Sequence, residues 1–370
     1  MRFPKAFFWI WLLGSALLWA SYHYYGKALL EQLYTGQAPA WLQALAEGLY
    51  PRLATERHRF DFHFFQQKAE QVLLRGSLLV LLLLVLLQPE AAAFRRKLSE
   101  GHIGRGYARY LQGVFTLLLF YFTWDWPLIF EKLQAIRPFY QPLSFWLRPF
   151  AFPSSALATG LCVAMWAAAL YAFYRSSWLF CLGSVLLFLL LEAFLLSFQK
   201  FDHTWASFNY IALMMPSLYA VSQNKEALVS AWPWQMIRVA VAAVYVQAGL
   251  EKILIGGMAW LEAENLRTYL LMAGQPVGKW LAKHDILCII FALLIVLFEL
   301  SFAAIVFYRK STPWLLAAGF CFHLSTYWLM GIGSWLSTWT LSYLFLLEAS
   351  HWPPKLRALL SKSVFFKTKL

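Results

Sequence analysis

The run at 178–198, WLFCLGSVLLFLLLEAFLLSF, carries Glu192 as its one charged side chain. Hydrocarbon offers no partner for an open backbone amide or carbonyl, so a segment this apolar has to close its own hydrogen bonds as a helix of roughly 20 residues. Comparable runs lie at 6–24, 71–88, 107–124, 156–174, 204–222, 235–255, 285–308, 313–330 and 334–348, which makes ten in all. Charged residues are 13% of the chain, about half the share in soluble domains. The expectation is an all-α, polytopic integral membrane helical bundle of about ten transmembrane helices. It forms a single membrane domain over 1–370.

Charge orders the spans. Arg2 and Lys5 precede the first run, Arg95, Arg96, Lys97 and Arg105 follow the second, and Arg175, Lys225, Arg309 and Lys310 fall in alternate connections. Lys355, Arg357, Lys362, Lys367 and Lys369 close the chain. Ten spans with both termini in the cytoplasm place all of these on one face, as the positive-inside rule requires. The formal charge of +13 is thus read as topology control, not as a nucleic-acid surface. The opposite face receives the long connections 25–70, 125–155 and 256–284. The expected location is a bacterial plasma membrane, with the lipid bilayer as the first partner. Cys162, Cys181, Cys288 and Cys321 all fall within apolar runs and read as buried thiols.

A few polar groups do not fit a purely apolar bundle. Lys252 lies near the outer end of the seventh run, followed by Gly256-Gly257. Tyr245, Ala248 and Gly249 share its helical face, while Gln247 and Glu251 form a neighbouring strip. One reading lets the lysine reach the headgroups or pair with Glu251, Glu262 or Glu264. The other places it in a partly dry pocket, where desolvation favours a neutral amine able to act as a base. His203 beside Asp202 in the turn QKFDH is a candidate acid/base reaching the same depth. Glu192, Glu299 and His323 sit deeper, where each has to pair, stay neutral or line a polar cavity. His58 and His63 lack the spacing of a helical metal pair, and no metal is expected.

The order of these features resembles the HTTM domain, the membrane part of vitamin K-dependent γ-glutamyl carboxylases. The similarity covers roughly 180–350. It rests on QKFDHTWASFNYIALMMP, on AGLEKI with its glycine break and Trp260, on FEL, and on FHLSTYWLMGIGSW. It implies an outer-face pocket, a quinone/hydroquinone (vitamin K-like) cofactor and a secreted or membrane peptide as substrate. By position, Lys252, His203 and His323 would be catalytic, and Tyr245, Gly249, Glu251 and Glu299 would bind the cofactor. Glu251 stands where the carboxylases carry a second basic residue. With no large extramembrane domain after the last run, peptide capture falls to a separate soluble or membrane partner. Two other functions fit the same residues: a non-catalytic partner or chaperone of a small secreted peptide, and a proton-coupled transporter using Glu192, Glu299 and His323.

Overall fold

A computed structural model describes residues 5–49, 51, 53, 61–87, 92, 96, 100–198, 205–223, 226–334 and 336–348. These are helical almost throughout. In chain order the helices are α1 (Lys5–Ser21), α2 (Lys27–Thr35), α3 (Ala40–Leu49), α4 (Phe62–Leu87), α5 (Arg105–Thr123) and α6 (Trp126–Leu133). They continue with α7 (Ser155–Arg175), α8 (Trp178–Leu196), α9 (Ala206–Val221), α10 (Trp232–Leu254) and α11 (Ala263–Ala273). The last are α12 (Pro276–Leu281), α13 (Asp285–Ser301), α14 (Ala304–Phe307), α15 (Thr312–Met330) and α16 (Thr338–Ser342). Four stretches among the described residues are long and apolar enough to cross a membrane: Arg105–Phe139, Ser155–Arg175, Trp178–Leu196 and Asp285–Phe307.

The chain packs as two compact units. The first comprises 1–97, 129–158 and 190–201. Within it the Trp11 indole donates to the Ser77 carbonyl across 2.7 Å, and Arg148 donates to the Glu47 carbonyl. Tyr140, Phe152, Phe194 and Phe198 cluster ring against ring. Within the connection 125–155, Tyr140 and Phe152 are therefore folded inward.

The second unit comprises 98–128, 159–189 and 202–370. A short antiparallel ribbon pairs β1 (His102–Gly104) with β2 (Leu228–Ser230). It brings the start of α5 beside the start of α10. Above it, α10 packs between α9 and α13. Gly249 permits the second of these contacts, because a methyl group there would stand 3.0 Å from Leu300 Cδ2 and 3.1 Å from Glu299 Cβ.

The run 334–348 departs from expectation. Among the described residues there, no helix has membrane-crossing length. Gly331 and Gly333 take positive φ values of 66° and 75°, which end α15 and keep the backbone irregular. Ser337 then caps α16 by accepting from the Thr340 amide, and Tyr343–Phe345 tightens into a 3-10 turn. The helical part reaches only about 12 Å, against roughly 30 Å of hydrocarbon. It is held at its far end. Trp234 donates to the Phe345 carbonyl across 2.9 Å and Tyr107 to the Leu347 carbonyl across 2.8 Å. Glu348 lies 3.8 Å from Arg238 and 3.5 Å from Arg309. Cys162, Cys181 and Cys288 are buried thiols, but Cys321 is exposed; it faces away from the packed side of α15.

Candidate functional site

Helical spacing puts Tyr245, Ala248 and Lys252 on one face of α10, and all three line a cavity of about 530 Å³. Glu299 from α13 joins them, with Phe322, His323 and Thr326 from α15. The irregular segment after α15 supplies Ile332, Gly333, Ser334 and Ser337, and α16 supplies Trp339. Non-helical backbone at this depth is tolerated where it borders a cavity.

Lys252 Nζ donates to both oxygens of Glu299, across 2.7 and 2.8 Å. The carboxylate side chain is 6% exposed and the lysine 18%. Two opposite charges in a nearly dry place stabilise each other only with such close geometry, because each has given up its water. The pairing corrects one sequence reading: the lysine's partner is Glu299, not Glu251, Glu262 or Glu264. Glu251 accepts instead from Gln247 at 2.9 Å, and Glu264 pairs with Arg267. The ring of Trp260 lies 5.0 Å from the Lys252 ammonium.

A second polar group faces the same space. Tyr245 Oη lies 2.7 Å from His323 Nε2 and 2.6 Å from Tyr343 Oη. A neutral imidazole nitrogen is the strongest acceptor of the three, so the order that satisfies the most donors runs Tyr343 O–H to Tyr245 O, then Tyr245 O–H to His323 Nε2. Trp339 stacks on the imidazole, with centroids 6.0 Å apart and planes at 22°. Gly319 makes room for this chain, since a methyl group there would collide with the Tyr343 hydroxyl. Gly319→Ala should therefore cost about 2 kcal/mol of stability. Adding Tyr343→Phe, which removes the colliding oxygen, should recover part of that loss in a thermal melt in mild detergent.

The structure thus brings together Lys252, Glu299, Tyr245 and His323 from the expected site. Gly249 contributes by packing rather than by facing the cavity, and Glu251 is not among the lining side chains. Glu192 is buried in α8 and belongs to the first unit. His203, with Asp202 and Lys200, lies outside the described residues, as does His58. Among the described residues no three His, Cys, Asp or Glu side chains converge as metal ligands do. Phe322, Thr326 and Ser334 fall within the quoted FHLSTYWLMGIGSW without being named as site residues, and Ser337 and Trp339 were not named either. A further signal is that FHLST and WLSTW mix hydroxyls with rings in an apolar run.

No protein-family model, no curated protein and no solved structure matches this chain.

Proposed function

We propose that this is a multi-pass integral-membrane enzyme of the HTTM type. It modifies or matures a secreted or membrane peptide, using a lipid-soluble quinol-like molecule held in this outer-face cavity. One observation carries the reading: two separate proton-exchanging groups, Lys252–Glu299 and Tyr245–His323, border one space with aromatic walls. Its volume suits a small ligand. A hydroquinone is flat and bears a hydroxyl at each end, which matches polar groups at two positions and rings between them. When bound, it supplies phenolic protons and reducing equivalents.

The chain's own residues have distinct tasks. Glu299 can take a proton on a carboxylate oxygen, and the ammonium of Lys252 then turns toward a developing oxygen anion. Proton handling therefore belongs to the pair rather than to the lysine alone. Tyr245 donates to His323 and exchanges protons with it across their short hydrogen bond. Phe322 and Trp339 exclude water and strengthen both interactions.

Titration of the purified protein with a reduced short-chain naphthoquinone should quench tryptophan fluorescence saturably. In His323→Ala the affinity should fall about tenfold, as expected for a lost hydrogen bond plus packing. Unchanged affinity in both His323→Ala and Glu299→Gln would remove the quinol reading. A mass change on a bound peptide that requires Lys252 marks an enzyme, whereas binding with no mass change marks a non-catalytic partner.

The short helix at Thr338–Ser342 and the irregular backbone before it, both bordering the cavity, favour a second reading. Discontinuous helices at a cavity are a device of transporters, so a proton-coupled carrier is the runner-up. Ligand-driven proton uptake in vesicles that survives Lys252→Ala and is lost in Glu299→Gln would select it.

A further inference from the structure

Lys252 has Glu299 and the cavity as neighbours, and also Trp260. Trp260 is not among the residues that line the cavity. Its ring lies 5.0 Å from Nζ, within the range at which an ammonium is drawn to the electron-rich face of an indole. The backbone is built to put it there. Beyond α10 the chain turns through Gly256 and Gly257, the latter at φ 61°, into a single 3-10 turn over Gly257–Leu261. A methyl group on Gly256 would collide with Trp260 Cδ1 and stand 2.6 Å from the Lys252 carbonyl. The glycine is thus the condition for folding the indole back over the lysine. Asn265 Nδ2 donates to the Trp260 carbonyl across 3.4 Å and ties the turn to α11.

We infer that Trp260 is a positioning residue for Lys252: its ring face holds the ammonium on the cavity side, against Glu299, and keeps bulk water from the amine. This rests on Lys252 being the working amine of the proposed function, but its test requires no quinol.

A bulky apolar wall and a cation-attracting ring make different predictions. Fluorine atoms on the indole withdraw electrons from its face while hardly changing its shape. Site-specific fluorotryptophan at position 260 should therefore weaken the attraction with little effect on packing. The readout is the rate at which an amine-selective acylating reagent modifies Lys252 in the full-length protein in detergent, followed by peptide mass spectrometry. Lys279 and Lys283 serve as internal references. The Lys252 rate should rise with each added fluorine, and by about tenfold in Trp260→Leu, the size expected for a partly desolvated cation–π contact. Gly256→Ala, which displaces the indole, should give a comparable rise. Equal rates across the fluorinated series would overturn the inference even if Trp260→Leu reacts faster, because Trp260 would then be only a plug. Normal quinol binding alongside equal rates would sink this inference alone. Fluorine-dependent rates without quinol binding would keep it and remove the cofactor reading.

Discussion

Lys252→Ala is expected to lower stability by about 3 kcal/mol and Glu299→Ala by about 2 kcal/mol, while Lys252→Met combined with Glu299→Leu stays within about 1 kcal/mol of the unmodified protein. Each single change removes one partner and leaves the other charge where water hardly reaches it. The order follows from exposure. A stranded Glu299 is only 6% exposed and has a short side chain, whereas a stranded Lys252 at 18% can swing its long stem toward the interface. The double change removes both charges and fills the space with apolar atoms, so the desolvation cost vanishes together with the attraction. Thermal unfolding in mild detergent reads all three. A double variant that loses the sum of the two single effects would show that the residues do not act as a pair. The same double variant should lose naphthoquinol binding while remaining folded, which separates the site's chemistry from its structural role.

Arg238→Met is expected to cost about 3 kcal/mol and to loosen the segment 338–346. The guanidinium is 2% exposed. It donates to the Ile305 carbonyl and to Gln235, lies 5.0 Å from the Trp234 ring and faces Glu348. Methionine fills the volume and satisfies none of these partners. Arg238→Lys should recover less than half the loss, because one compact ammonium cannot serve acceptors spread around a planar fork. Hydrogen–deuterium exchange gives the local readout: amides at 338–346 should exchange faster in Arg238→Met, with little change in α7. Protection that stays the same would mean that Trp234 and Tyr107 fix this segment without the arginine.

Much of the helical frame is legible in the chain. The apolar runs at 107–124, 156–174, 178–198 and 285–308 coincide within a few residues with α5, α7, α8 and the stretch Asp285–Phe307. An apolar run in lipid has one way to satisfy its backbone, so composition alone decides the outcome. The segment 334–348 read differently because its composition is equally apolar. What shortens it is the Ser337 cap, which starts the helix only at Thr338, and the 3-10 turn over Tyr343–Phe345 that follows it, and the sequence also permits those residues inside a longer packed helix. The face shared by Tyr245, Ala248 and Lys252 follows from spacing. The partner of Lys252 does not: Glu299 is 47 residues away, while closer carboxylates compete for the assignment on paper.

The sequence by itself determined that the backbone closes into apolar helices, and which residues share a face within each, because both depend on local hydrogen bonding and a fixed helical repeat. Only the tertiary structure decided that Lys252 meets Glu299, that Tyr245 links His323 to Tyr343, and that Trp260 folds over the amine. Those meetings depend on the close approach of α10, α13 and α15 and on two short glycine turns, whose geometry is set by packing between segments distant along the chain.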